Sequence, residues 1–172
     1  GNSDGEAPHQ QYVKEENWPA SYDYHKQDIS SPSVALADAL KTQGPVLTVS
    51  TACSSGASAI ASAKRWIEMG ACDLVICGGV DTLCELTVKG FNSLGAVSDK
   101  PCLPMSANRN GINLGEGGAL FLISKDSGGI QVLGSGISSD AHHFSAPHPD
   151  GIGAELAMNA ALTNANLTAQ QI

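Results

Sequence analysis

The sequence contains few aromatic and few basic residues, and each shortage excludes a class of protein. Aromatic side chains make up 5% of the 172 residues, and 9 Lys and Arg stand against 17 Asp and Glu, giving a formal net charge of −8. Binding to nucleic acid requires clustered Lys and Arg, so a nucleic-acid partner is not expected. No apolar run approaches the ~20 residues that span a bilayer. Residues 1–11 are polar rather than signal-like, so we expect no membrane association and a cytoplasmic location.

Paired cysteine motifs are also missing. The five cysteines stand at positions 53, 72, 77, 84 and 102, an odd number without Cys-x-x-Cys spacing. In a chain with no secretion signal, we interpret them as reduced thiols. Hydrophobic residues make up 42% of the chain and Gly numbers 19, which indicates a single globular domain packed with small side chains. Such a composition suits a layered α/β protein.

Hydrophobic periodicity predicts alternating helices and strands. The predicted helices are Ser33–Lys41, Ala57–Met69 and Ile152–Asn164, and the predicted strands are Val46–Ser50, Asp73–Cys77, Gly118–Ser124 and Ile130–Ile137. The strand Asp73–Cys77, which ends at Gly78-Gly79, is apolar without alternation of polar and apolar residues. This pattern is typical of a parallel strand buried on both faces, and with the preceding strand and helix it predicts a βαβ unit. A hairpin-like connection at Lys125–Gly129 is expected to join the last two strands. Residues 1–31 show neither period and are predicted to form a long surface segment.

Cys53 is the strongest candidate for chemistry. It lies in Thr51-Ala-Cys-Ser-Ser-Gly56, between a predicted strand and a predicted helix. At such a position, free backbone N–H groups and the helix dipole favour a thiolate and can hold an oxyanion. An α/β-hydrolase elbow is excluded, because Thr51 and Ser55 stand where that motif requires Gly. From the spacing alone two interpretations remain open, a catalytic nucleophile and a small buried thiol at a tight helix start.

Two other motifs suggest sites that their spacing does not support. Asp140–His148 contains three histidines, but it matches no helical His pair and has no thiolate nearby. We therefore predict no metal, and a loop whose imidazoles cap backbone groups or face solvent. Gly111–Gly118 lacks the Lys of a phosphate loop and precedes a strand, so its glycines are predicted to permit positive φ and close backbone passage. Arg109 and Glu116 are a candidate buried charge pair.

Five motifs, taken in order, resemble the β-ketoacyl-acyl-carrier-protein synthase family of condensing enzymes. They are the nucleophile motif Val49–Gly56, the next strand Asp73–Gly79, the segment lining the acyl pocket from Gly90-Phe91 to Ser98, the Arg-Asp-Gly…Gly-Glu-Gly stretch at Asn108–Gly117, and the loop Ser138–Pro147 that opens the second half. The resemblance covers nearly everything from about Pro32 to Ile172. An ordered set of this length is far more specific than Thr-Ala-Cys alone.

The resemblance implies a thiolase-like α/β fold with α-β-α-β-α layers, of which residues 1–172 form a single partial domain containing the nucleophile half. It implies that Cys53 accepts an acyl group from the phosphopantetheine of an acyl carrier protein. Decarboxylation of malonyl carrier protein then supplies a carbanion that attacks the new thioester. Phe91 is expected to wall the acyl pocket. No metal, nucleotide or other cofactor is implied, and the enzymes are usually homo- or heterodimers.

This sequence also departs from the family pattern. The family's catalytic histidines, in Asn-Ala-His-Gly-Thr and Gly-His motifs, do not occur here, so we expect that both ends of the enzyme are lacking and that the fragment alone is inactive. The common Asp-x-x-Arg-Asp-Gly stands here as Ser106-Ala-Asn-Arg-Asn-Gly111. That change indicates a divergent subgroup, such as the synthases of aryl polyene or polyketide-like pathways, rather than housekeeping fatty acid synthesis.

The negative charge of the chain bears on its expected partner, because like charges slow the encounter with an acidic carrier protein. Lys64, Arg65 and Lys89 are the local cations, and Lys64 and Arg65 are predicted to form the carrier docking site. Two other functions stay open. A non-catalytic partner subunit of a synthase heterodimer is disfavoured by the presence of Cys53, which such partners typically lose. A thiolase-like acyltransferase acting on coenzyme A thioesters is the third hypothesis.

Overall fold

The computed structural model describes residues 5–126, 128–144 and 146–172. Its main elements are α1 Glu6–Glu15, α2 Ser31–Leu40, α3 Ser55–Glu68, β1 Leu74–Asp81, α4 Glu85–Ser93, β2 Gly117–Ser124 and α5 Ile152–Ala165. Short 3₁₀ helices occupy Tyr24–Gln27, Ala52–Ser54 and Ala169–Gln171. Among the described residues, no helix has both the length and the apolar character that crossing a bilayer requires. The chain divides into two compact units, one of residues up to Ile60 with Ile76–Leu122, the other of Ala61–Val75 with Ile123–Ile172.

β1 and β2 pair to form a two-stranded sheet. An added Cβ at Gly78 would lie 2.0 Å from the Ala119 carbonyl oxygen, and one at Gly118 would lie 3.2 Å from Val80 Cγ2. Gly78 thus lies beside Ala119, whereas Val80, which comes later in β1, lies beside Gly118, which comes earlier in β2. The two strands are therefore antiparallel. The predicted end at Gly78-Gly79 is wrong, because these glycines allow the close approach of β2 and the strand continues to Asp81. Half-exposed residues in β1 likewise contradict burial on both faces.

Two predicted strands are not formed. Residues 46–50 and 130–137 have no strand assignment, and Val46 and Leu47 are 49% and 52% exposed. A strand needs the backbone groups of a neighbour, and the described part of the chain provides none at either place. The βαβ unit expected around α3 and the hairpin after β2 are therefore wrong. The predicted hairpin connection includes Ser127, which lies outside the described residues.

The opening segment contains a helix that the periodicity did not predict. α1 is followed by Glu16, which has φ of 52° and donates its N–H to the Tyr12 carbonyl. The rings of Tyr12, Trp18 and Tyr22 stack in series, with centroids 4.5 and 4.1 Å apart. The stack joins the helix to the following turn, so its aromatic residues follow no helical period. The predicted surface position is confirmed, since the described residues of this segment are largely exposed.

Helices α2 and α3 confirm two predictions. α2 has Pro32 in its first turn and is followed by Lys41, whose φ of 53° ends the helix after Leu40. α3 is rich in Ala and Ser. Five of its residues are no more than 9% exposed, namely Ser58, Ala61, Ser62, Ala63 and Ile67. After α3, Gly70 adopts a φ of +71°, a conformation that glycine commonly supplies just beyond a helix.

In the second unit, α5 forms where it was predicted and lies directly against the extended segment 134–138. An added Cβ at Gly134 would lie 2.4 Å from the Ala161 carbonyl oxygen, and one at Gly136 would lie 2.0 Å from that of Ala157. The Ser138 hydroxyl donates to the Gly153 carbonyl at 2.5 Å. This segment therefore packs on α5 rather than pairing as a strand.

Candidate active site

Cys53 lies in the 3₁₀ turn Ala52–Ser54, immediately before α3. Its side chain is exposed and forms no disulfide. Within the described residues, the Cys53 N–H donates to no acceptor. The exposed thiol disfavours the buried-thiol interpretation. A sulfur and an open backbone donor on one residue, at the start of a helix, can attack a carbonyl and hydrogen-bond the resulting oxyanion.

The residue before the cysteine has an unusual backbone conformation. Ala52 has φ of +52°, in the left-handed region. For a residue with a Cβ this conformation costs about 1–2 kcal/mol, and it persists only where surrounding contacts enforce it. The turn that presents Cys53 is therefore strained at one peptide unit.

Hydroxyl groups on both sides of Cys53 bond to the strained turn. The Ser54 hydroxyl lies 2.8 Å from the Thr51 carbonyl and 2.9 Å from Thr51 Oγ1, and Thr51 Oγ1 donates to Ser58 Oγ at 3.3 Å. The Ser55 hydroxyl donates to the Ala52 carbonyl at 2.6 Å and accepts the Thr51 N–H at 2.9 Å. These supporting roles were missed from the sequence. The only available signal was the run of hydroxyl residues that flanks the cysteine.

The other four cysteines are less accessible than Cys53. Cys72, Cys77 and Cys102 are half-buried and Cys84 is buried. Burial raises the pKa of the Cys77 thiol, which lowers its thiolate fraction at neutral pH. All five are free. The accessible thiol of the chain is that of Cys53.

The structure also places the remaining predicted site residues. Phe91 lies in α4 and is half-buried. The Lys64 side chain is 12% exposed and pairs with Glu68 at 2.5 Å. Arg65 is exposed and donates to Ser62 Oγ at 2.9 Å. Of the two cations assigned to carrier docking, Arg65 therefore offers the more accessible charge.

The histidine-rich motif forms a loop organised by Asp140. One carboxylate oxygen accepts the His142 N–H at 3.1 Å and the other accepts the His148 N–H at 2.9 Å. These backbone hydrogen bonds hold the pKa of Asp140 below its usual range. His148 Nδ1 accepts the Asp150 N–H at 3.2 Å, so one imidazole caps a backbone group, as predicted. No group of three His, Cys, Asp or Glu among the described residues is placed to hold a metal.

The glycine-rich segment confirms one prediction and contradicts another. Gly111 has φ of +60°, and an added Cβ would lie 2.6 Å from a backbone oxygen, which is the close passage expected. The predicted Arg109–Glu116 pair is wrong. Arg109 is exposed and donates to the Ser106 carbonyl at 3.1 Å, while Glu116 accepts the Leu83 N–H at 3.3 Å. Each charged group bonds to a nearby backbone group instead.

A sequence model of one protein family matches most of the chain. The model described as Beta-ketoacyl synthase, N-terminal domain, matches residues 2–127, which include Cys53 and its flanking hydroxyl residues. The chain belongs to the β-ketoacyl synthase family. The resemblance inferred from the five motifs is thereby confirmed.

Named relatives agree with this assignment. The chain is 36% identical over 148 residues to 3-oxoacyl-[acyl-carrier-protein] synthase 2 of Rhizobium meliloti, covering 77% of this chain and 35% of that protein. It is 42% identical to the ketosynthase ApeO, solved in complex with its chain length factor ApeC from Xenorhabdus doucetiae, with a TM-score of 0.88 over 96% of this chain and 42% of that one. A type II PKS ketosynthase, solved with its acyl-carrier protein, is 26% identical at a TM-score of 0.80, covering 92% of this chain and 44% of that one.

These similarities confirm the α/β class and the thiolase-like ketosynthase fold for the stretch they cover. The chain spans only about a third of the length of the curated synthase, 35%. The β-ketoacyl synthase motif around Cys53 lies inside the matched stretch, whereas most of each relative lies beyond it.

Proposed function

We propose that this chain is the nucleophile-bearing part of a β-ketoacyl-acyl-carrier-protein synthase, with Cys53 as the acyl-accepting residue. The observation that carries the proposal is the exposed, disulfide-free Cys53 thiol in a tight turn at the start of α3, within the region that matches the family. The chain's own part of the chemistry is then to accept, hold and release an acyl group.

The reaction proceeds through one covalent intermediate. The Cys53 thiolate attacks the thioester of an acyl carrier protein, forms an acyl-cysteine and releases the phosphopantetheine thiol. The N–H of Cys53 stabilises the oxyanion of the tetrahedral intermediate. Malonyl carrier protein loses CO₂, and the resulting carbanion attacks the acyl-cysteine. The β-ketoacyl carrier protein leaves and the Cys53 thiolate is regenerated. Phe91, half-buried in α4, is proposed to wall the pocket for the acyl chain.

The partners follow from the same proposal. An acyl carrier protein delivers both substrates, and Arg65 contributes the more exposed of the two candidate docking charges, beside Lys64. A partner subunit is proposed because the relative ApeO, at 42% identity, was solved with a chain length factor. We place the enzyme in the cytoplasm, a compartment that keeps thiols such as that of Cys53 reduced.

Intact-mass analysis tests the proposal on the complete protein that contains this chain. Incubation with an acyl carrier protein thioester should add one acyl mass, located by peptide mapping at Cys53. Cys53→Ala should abolish the adduct. Cys102→Ala is the matched control, because Cys102 is half-buried and its bond to Asn113 uses the backbone N–H rather than the thiol. An adduct that survives Cys53→Ala would refute the assignment, and acylation by coenzyme A thioesters alone would favour the thiolase-like acyltransferase.

A further inference from the structure

The geometry around the strained residue Ala52 points to one particular serine. We propose that Ser55 is a positioning residue whose hydroxyl holds Ala52 in the left-handed conformation and thereby orients Cys53 for acyl transfer. This inference rests on the proposed synthase function. It adds a role for a side chain that does not itself touch the reacting atoms.

The Ser55 hydroxyl bonds to the backbone on both sides of Ala52. It accepts the Thr51 N–H at 2.9 Å and donates to the Ala52 carbonyl at 2.6 Å. The backbone between these two atoms includes the φ and ψ rotations of Ala52. Because one hydroxyl oxygen bonds to both ends of this stretch of backbone, it restrains the φ angle of Ala52, which is strained at +52°.

The chain of bonds is also polarised in one direction, from N–H through O–H to C=O. Such chains strengthen each hydrogen bond that they contain. The Ser55 backbone N–H also donates to the Ala52 carbonyl, and the two hydroxyl bonds add stabilisation of the same order as the cost of a left-handed alanine. Removal of the hydroxyl should let Ala52 relax and should turn the Cys53 sulfur and N–H away from their present directions.

The neighbouring Ser54 and Ser58 hydroxyls bond to Thr51. The Ser55 hydroxyl bonds to the Ala52 carbonyl itself. Single substitutions of Ser55, combined with Ala52→Gly, therefore test this bond.

The experiment is a double-mutant cycle in the complete protein that contains this chain. The variants are Ser55→Ala, Ser55→Thr, Ala52→Gly and Ser55→Ala combined with Ala52→Gly. Two rates are measured for Cys53, alkylation by iodoacetamide and single-turnover acylation by an acyl carrier protein thioester. Glycine adopts positive φ without help, so Ala52→Gly should make the Ser55 hydroxyl dispensable.

Ser55→Ala should slow both rates by about tenfold with little change in the KM for the carrier, as expected when a reacting group is misoriented. Ser55→Thr, which keeps the hydroxyl, should stay within about threefold of the parent protein, and so should the double variant. Ser33→Ala is the control, since the Ser33 hydroxyl also donates to the carbonyl three residues back, that of Ser30, at 2.9 Å. It bonds to Thr48 Oγ1 as well, and neither partner belongs to the 3₁₀ turn of Cys53. Any effect of that control should be the same with Ala or Gly at position 52.

Three results would overturn the proposal. They are unchanged alkylation in Ser55→Ala, an equal loss with Ala or Gly at position 52, and a loss in Ser55→Thr as large as in Ser55→Ala. If Ser55→Ala fails to fold, recovery of folding and of Cys53 alkylation in the double variant still supports the role, and no recovery refutes it. Alkylation needs no carrier substrate, so failure of the parent protein to form an acyl-cysteine would count against the proposed function and not against Ser55.

Discussion

The adjacent glycines of β1 provide a matched pair of substitutions. An added Cβ at Gly78 would lie 2.0 Å from the Ala119 carbonyl oxygen and 3.0 Å from Leu120 Cα, all of it backbone of β2. At Gly79 an added Cβ would meet nothing within 4 Å. Neither glycine is among those with positive φ, so alanine is conformationally allowed at both. The two substitutions differ in the contact with β2 alone.

We expect Gly78→Ala to lower the free energy of unfolding and Gly79→Ala to raise it slightly. Backbone atoms cannot turn aside as a side chain can, so the strands must separate, at a cost of about 1–3 kcal/mol for overpacking. At Gly79 the alanine only reduces the conformational entropy of the unfolded chain, for a gain of about 0.4–1 kcal/mol. The two variants should therefore differ by about 1.4–4 kcal/mol.

Urea unfolding of both variants, followed by circular dichroism, measures this difference. The slope of the free energy with urea should be the same in both, so that the midpoints report stability alone. Equal midpoints would show that β2 leaves room for a side chain at Gly78. They would contradict the contact between Gly78 and Ala119 from which the antiparallel register was inferred.

Three further predictions concern charge and thiol chemistry. Reversal of Lys64 and Arg65 together to Glu should raise the carrier KM with little change in kcat, and Arg65→Glu alone should produce most of the rise; an unchanged KM would place docking elsewhere. Limited iodoacetamide treatment should modify Cys53 well before Cys77, whose pKa is raised by burial; peptide mapping that shows the reverse order contradicts this reasoning. Because the pKa of Asp140 is lowered in the fold, its contribution to stability is present above the ordinary carboxyl pKa and is lost as pH falls through the lowered value. The His142 and His148 backbone N–H groups, which donate to this carboxylate, should therefore lose hydrogen-exchange protection in acid. Protection factors that do not change with pH would contradict the stabilising role of these two hydrogen bonds.

The helices that sequence reasoning predicted are those with their own local signals. α3 has a stretch of small residues and a stop at Gly70, and α5 follows two prolines with a regular period. α1 was missed because its stability depends on the aromatic stack of Tyr12 with Trp18, a contact across a turn that no helical period encodes. Local pattern predicts elements whose stabilising contacts are local.

Strands were predicted less well because pairing is not local. Residues 46–50 and 130–137 have the β-branched and apolar character of strands, yet the described chain supplies no neighbour for them. In β1 the pattern predicted a strand that ends at Gly78-Gly79, whereas the glycines are where β2 approaches. Side-chain type indicates that a residue suits a sheet, and says little about which strand lies beside it.

In the candidate site, too, the features with local signals were predicted and those that depend on the folded backbone were not. The motif around Cys53 was sufficient to predict the thiol, the turn and the following helix. The left-handed conformation of Ala52 could not be predicted, because alanine does not favour positive φ and no residue type in the motif indicates that conformation. The Ser55 hydroxyl bonds become visible only when the backbone path of the turn is known.

The contact of Gly134 and Gly136 with α5 limits how the length of this region can change. At Gly134 and Gly136 the extended segment places no side chain of its own against the helix, and Ser138 bonds to Gly153 four residues before α5 reaches Ala157. Inserting one residue between Gly134 and Ser138 would bring a side chain to a position that tolerates only hydrogen. Natural length variation among homologous chains is therefore expected before Gly134, and the spacing from there to Ser138 should be constant.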